Sequence, residues 1–167
     1  MQPAECLRRV RPLVRDRVPS ELREFHWESF SFQSKLWYGN KALHYEIWPR
    51  ERLGTIEIGL HFEADPLTNA RLLAAFAANA KAIRRALADA RIEEWDRGWA
   101  RVWEPLPHRR PDEALATELA ERVAAYVSAL EPILRRELPS DVPWSDPTAQ
   151  PARVKAAARS RASRSAR

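Results

Sequence analysis

With a single cysteine, Cys6, the chain cannot close an internal disulfide, which fits a reducing compartment. No stretch approaches the roughly 18–20 consecutive apolar residues of a membrane span, and the N-terminal "MQPAECLRRVRP" has no apolar run to act as a signal peptide. The expectation is a cytoplasmic protein with no membrane partner. Also missing are a glycine-rich phosphate loop, a serine nucleophile elbow with His and Asp partners, and a cysteine pair spaced for zinc. No cofactor is expected on motif grounds, and no motif names a reaction. Cys6, near a helix start, reads as a small core residue rather than a reactive thiol.

Lysine is scarce beside arginine, 4 against 24, a bias that with plentiful alanine and proline suits a GC-rich bacterial genome. The net charge of +5 is unevenly placed. Residues 151–167, "PARVKAAARSRASRSAR", hold six basic and no acidic residues, whereas the rest holds 22 basic and 23 acidic. A bulk-charge argument for nucleic acid therefore applies to this tail and not to the remainder.

At 167 residues the chain can bury the core of one domain. Leu7, Val10, Val14 and Val18 recur at helical spacing over residues 3–17, with Pro12 expected to bend or shorten that helix. Residues 25–63 alternate aromatic and β-branched residues between the turn signals "GN" and "PRERLG", the pattern of a meander. In "ADPLTNARLL", Asp65 and Pro66 open a helix whose apolar stripe runs Leu72, Phe76, Ala80, Ile83, Leu87. Residues 111–137 form a last helix, with a distortion expected at Pro132. Pro139, Pro143, Pro147 and Pro151 then space out an extended arm.

Treating Gly39-Asn40 as a two-residue hairpin turn pairs Leu36 with Leu43 and Phe32 with Ile47. Matching apolar positions in the next hairpin pairs Leu43 with Leu60 and Tyr45 with Ile58. Both registers put Phe30, Phe32, Leu36, Leu43, Tyr45, Ile47, Ile56, Ile58, Leu60 and Phe62 on one face, where the helices should pack. By exclusion the other face carries Trp27, Lys35, Trp37, His44, Glu46, Trp48, Glu57, His61 and Glu63. It sets Glu46 opposite Glu57, a pair that needs a cation, a shared proton or solvent.

In "EEWDRGWARVWEP" three tryptophans stand four apart, which suits a helix or a strand equally. Gly98, Val102 and the long preceding helix favour a strand. Trp95, Arg97, Trp99, Arg101 and Trp103 would then share one face, placed beside Trp27, Trp37 and Trp48. Alternating Trp and Arg suits cation–π stacking and base or sugar stacking.

The layout of "FHWESFSFQ…WYGNKALHYEIWP", "IEIGLHFEADPLTNARLLAAF", "IEEWDRGWARVWE" and "LEPIL", over about residues 25–138, resembles a small bacterial domain of unknown function sometimes attached to restriction-type nuclease domains. The resemblance implies a role near nucleic acid by association and supplies no catalytic residues. Against nuclease chemistry, "TIEIGLHFE" offers glutamates without the lysine that usually accompanies them.

The expected fold is α+β, in the order α-β-β-β-α-β-α: an antiparallel sheet of about four strands with helices on one face. It occupies residues 1–138 as a single domain, with residues 139–167 a proline-rich arm and a basic, disordered tail. The favoured function is a non-catalytic binding or accessory module. It would use Trp48, Trp95, Arg97, Trp99, Arg101 and Trp103 to hold nucleic acid or a planar ligand. Two alternatives stand beside it: a metal-dependent or acid–base enzyme using His44, Glu46, Glu57 and His61, and a homodimer that buries the tryptophan-rich face.

Overall fold

The computed structural model describes residues 1–144. Pro147, Pro151 and the basic tail lie outside the described residues. The elements are α1 (Pro3–Arg17), β1 (His26–Ser29), β2 (Ser34–Trp37), β3 (Leu43–Arg50), β4 (Thr55–Phe62), α2 (Pro66–Ala78), α3 (Ala80–Ala86), β5 (Arg91–Glu94), β6 (Ala100–Pro107) and α4 (Glu113–Glu137). Six strands form one antiparallel sheet in the order β1-β2-β3-β4-β6-β5. The α+β class and the antiparallel sheet are as expected. The strand count and the element order are not.

The two extra strands have the same cause. Residues 26–37 alternate well enough to imitate one strand, but the chain turns back through residues 30–33, closing with a hydrogen bond from the Phe30 amide to the Gln33 carbonyl. Phe30 and Phe32, expected in the core, sit exposed on that turn. Residues 91–107 likewise form a hairpin rather than one strand. Its turn has Arg97 at φ 59° and Gly98 at φ 73°, left-handed values that glycine adopts freely and arginine does not. Arg97 is thereby lifted off any strand face.

The two registers of the meander each differ by two residues from the expected ones. Leu36 pairs with Tyr45, Tyr45 with Leu60, and Leu43 with Phe62. A shift of two preserves parity, so Leu36, Leu43, Tyr45, Ile47, Ile56, Ile58, Leu60 and Phe62 still share one buried face. Gly39 does not make a two-residue hairpin. It admits Trp144 instead: a β-carbon at 39 would lie 2.3 Å from the Trp144 carbonyl oxygen. The start of the proline-rich arm therefore packs back onto the β2–β3 connection, with Asp141 paired to Arg71 at 3.1 Å. Trp27, opposite Leu36, packs against the core and not on the far face.

All of the helical burial is on the apolar face. Asp65 caps α2 through the Thr68 amide at 3.0 Å, and Asp112 caps α4 through the Leu115 amide at 2.7 Å. The expected single helix after Asp65 breaks at Asn79, whose backbone (φ −93°, ψ 8°) leaves the helical region. α1 and α4 run through Pro12 and Pro132 without interruption. Both prolines lie on exposed faces, where water serves the carbonyl each one orphans.

α4 brings one carboxylate into the core. Glu131 is buried, accepts a hydrogen bond from the Tyr45 hydroxyl at 2.9 Å, and meets Arg135 Nε at 3.0 Å. Burial raises its pKa, and the bonds from Arg135 and Tyr45 only partly offset this. A carboxyl with a raised folded pKa adds stability at pH values below its unfolded pKa and loses that contribution as pH climbs through the folded value. Glu131→Gln keeps the acceptor for Tyr45 and removes the charge. It is expected to match the wild type near pH 4 and to exceed it at pH 7 by on the order of 1 kcal/mol, measured by urea unfolding at the two pH values.

Candidate functional site

The face of the sheet turned away from the helices is lined by charge, and the antiparallel register arranges it in rows. One row crosses all six strands as Glu28, Lys35, Glu46, Gly59, Trp103 and Arg91. The next holds His44, His61, Arg101 and Glu93. The two-residue change in register replaces the expected Glu46–Glu57 pair with His44 directly opposite His61. Their rings stack with centroids 5.6 Å apart.

The sequence repeats His-x-Glu on both strands, as His44-Tyr45-Glu46 and His61-Phe62-Glu63. In an antiparallel pair centred on the two histidines, local two-fold symmetry sends the two glutamates to opposite sides of the His–His row. Long side chains let them reach back. One donor atom from each of His44, Glu46, His61 and Glu63 lies within 4.8 Å of the other three. Three of the expected candidates are thus brought together, and Glu63 takes the place of Glu57. Glu57 turns instead to Arg101 at 2.5 Å and Arg50 at 3.3 Å, although its Oε1 remains 3.3 Å from His61 Nε2. The signal for Glu63 was present in the repeated tripeptide. What hid it was a register that centred the pair on the wrong residues.

The orientation of His44 is held by its backbone. Its Nδ1 lies 2.8 Å from the Lys41 carbonyl oxygen, which can only accept, so Nδ1 carries the proton. The neutral ring then presents the Nε2 lone pair to Glu46 at 3.2 Å and Glu63 at 3.9 Å. Burial lowers the pKa of this imidazole, so a lone pair faces anionic oxygens. That arrangement is relieved by a cation or by a proton shared with Glu46. His61 is fully buried, and neither ring nitrogen has a hydrogen-bond partner among the described residues. Burial would lower its pKa, but the facing Glu57 and Glu63 outweigh that and raise it. Burial likewise would raise Glu63, yet His61, His44 and Lys35 bring it down to about 2.

One cation is already close. Lys35 Nζ stands 3.4 Å from Glu46 and 3.6 Å from Glu63, at the rim where Lys35 and Glu63 are each 17 % exposed. A lysine absent from "TIEIGLHFE" on β4 is therefore supplied from β2, on the far side of β3.

The tryptophans cover this charge. Trp95 sets its ring edge-on to His61 at 5.3 Å and meets Trp48 at 6.2 Å and Trp99 at 5.7 Å. Trp103 lies across Gly59, where a β-carbon would come within 2.5 Å of the Trp103 Cβ, and its indole donates to Glu93 at 2.7 Å. Arg101 stacks on Trp103 at 3.9 Å and on Trp95 at 4.7 Å while bound to Glu57 and Glu93. At 7 % exposure it is not free for an outside anion. The expected open ladder is corrected accordingly: Trp95 and Trp99 flank a turn, Arg97 points to solvent, and Arg101 is a buried counter-ion.

No protein-family model, curated protein or solved structure matches the chain. No helix among the described residues is long and apolar enough to cross a membrane.

Asn69 of α2 ties the covering hairpin to the site. Its buried amide accepts from the Ala64 amide at 2.9 Å and donates to the Ala64 and Gly98 carbonyls at 3.0 Å each. It thus fixes both the residue after Glu63 and the turn between Trp95 and Trp99. Asn69→Ala leaves three part-buried backbone groups without their partner and is expected to destabilise the protein by about 1–3 kcal/mol in urea unfolding.

Proposed function

We propose that the chain is a metal-binding protein whose centre is formed by His44, Glu46, His61 and Glu63. One observation carries this: four ligand-type atoms converge within 4.8 Å on a buried sheet face, with His44 Nδ1 held by the Lys41 carbonyl so that Nε2 is turned into the group beside Glu46. A backbone carbonyl holding one imidazole nitrogen so that the other can coordinate is the usual support of a histidine ligand. Two imidazoles and two carboxylates suit zinc, iron(II) or manganese better than the all-oxygen preference of calcium or magnesium. A bound ion of this kind would supply Lewis acidity or an activated water at the Lys35–Glu63 rim.

The rival explanation is a self-contained ion network in which Lys35 and a protonated His61 do the neutralising. The two differ in the role of Lys35. For a metal centre its ammonium competes for Glu46 and Glu63; for a network it is a structural partner.

Titrating the chelator-stripped protein with Co²⁺ and Zn²⁺ by absorbance and calorimetry is expected to give one equivalent bound. His61→Ala and Glu63→Gln should each weaken it at least about tenfold. Lys35→Met should tighten it by a similar factor, because one positive charge leaves the site. Loss of stability in Lys35→Met with no stoichiometric metal binding by either protein would leave the network and remove the metal.

A further inference from the structure

A second feature lies at the other end of β3, where Trp48 and Arg50 of the charged face meet Pro49 and Pro3 of α1. The β1–β2 turn and the 3-10 turn Glu51–Leu53 enclose an open cleft of about 530 Å³, within the common size range of small-molecule sites. Its apolar surfaces are Phe32, Trp48, Pro49 and Leu53, and its cations are Arg50 and Arg52. Phe32 is 57 % exposed and Leu53 61 % exposed. Phe32 is held by stacking on Phe30, with ring centroids 5.8 Å apart. A turn that keeps two phenylalanines in water beside a half-buried tryptophan needs an explanation that core packing does not provide.

The charged groups supply one. Arg50 lies flat on the Trp48 indole, 4.4 Å from its centroid, and is anchored from behind by Glu57 at 3.3 Å. Its guanidinium is thus oriented before any ligand arrives, and less side-chain freedom is lost on binding. Arg52 is exposed on the adjacent turn, and among the described residues lining the cleft only Glu51 opposes these two arginines. Flat apolar surfaces beside a pre-set guanidinium recognise a planar ring that carries an anion.

We propose that this cleft binds a small planar aromatic anion of nucleoside-monophosphate size. The ring stacks against Trp48 and Phe32, and the anionic group pairs with Arg52 and the free edge of Arg50. The site is separate from the four-residue metal cluster and does not depend on it.

Calorimetric titration with adenosine monophosphate, adenosine, benzoate and an eight-residue oligothymidylate tests the assignment. Adenosine monophosphate is expected to bind at one site per chain, with adenosine at least about tenfold weaker because it lacks the anion, and benzoate weaker as well because its ring is smaller and its singly charged carboxylate sits directly on it, out of reach of both arginines at once. Phe32→Ala and Arg52→Ala should weaken it about tenfold or more; both positions are exposed, so both variants should fold. His61→Ala should bind as the wild type does, which separates this site from the metal centre. Binding of the oligonucleotide without the mononucleotide would overturn the proposal in favour of a polymer groove. No heat from any of the four, or a concentration-dependent mass abolished by Phe32→Ala, would overturn it as well, the latter in favour of a second copy of the chain.

Discussion

The central constraint is that, among the described residues, this sheet has helices on one side only, while its other side is dense with charge and still buried. Strand alternation forces the outcome. Once Leu43, Tyr45, Ile47, Ile56, Ile58, Leu60 and Phe62 face the helices, His44, Glu46, Glu57 and His61 must face away. Each of those four is nevertheless almost inaccessible. Charges removed from water must be neutralised locally, and here the neutralising groups come from every neighbouring strand: Lys35 from β2, Arg50 from β3 and Arg101 from β6. The tryptophans follow from the same need. Trp48, Trp95 and Trp103 exclude water above the ions while their ring faces interact favourably with Arg50 and Arg101.

Much of this was legible from the residues alone, because parity survives errors that distance does not. The expected registers were wrong by two residues in both hairpins, yet the core face of β2–β4 was right position by position. The α1 boundaries and the Asp65 and Pro66 helix start were equally readable, since a cap and an apolar stripe are local signals. Failures came where a turn hid inside an alternating run. "ESFSFQSK" keeps period two through a reversal, and so Phe30, Phe32 and Trp27 went to the wrong side. "EEWDRGWARVW" does so as well, and its reversal requires an arginine at positive φ, which no propensity would suggest. In the site, His44, Glu46 and His61 were identifiable as candidates. Choosing Glu63 over Glu57 required the true register, because only a His44–His61 pairing makes the two His-x-Glu tripeptides symmetric.

Buried ion networks are poor devices for stability. Desolvation of each charge commonly equals or exceeds what pairing returns, and an apolar substitute of similar volume often does better. The apolar face already provides a full core, with Val10, Val14, Leu60, Phe62, Leu72, Phe76, Tyr126, Val127 and Leu130 essentially inaccessible. A second layer of Glu, His and Arg adds little that this core lacks. The layer is better understood as a cost borne for a site. Within it the residues divide cleanly. Glu57, Arg101, Glu93 and Trp103 satisfy one another through direct hydrogen bonds. Among His44, Glu46, His61 and Glu63 the pairing is looser: His44 Nε2 reaches Glu46 at 3.2 Å, while neither nitrogen of His61 has a hydrogen-bond partner among the described residues.

Trp48 and Arg50 join the two ends of this face. Trp48 touches Trp95, which covers His61, and it also forms the floor of the cleft beside Phe32. Arg50 grips Glu57 while stacking on Trp48, and Glu57 in turn lies 3.3 Å from His61. An anion drawn to the free edge of Arg50 acts on a guanidinium whose other partner is the carboxylate nearest the histidine pair. Arg50 is partly exposed, so water screens that anion, and two intervening contacts separate it from the histidine pair. The cleft and the buried cluster are thus separate in the groups they offer and adjoin only through Trp48 and Arg50. Trp48 is the wall they share: it meets Trp95 at 6.2 Å and carries Arg50 over its ring at 4.4 Å, so a half-buried indole contacts the cover of the cluster and the lining of the cleft at once.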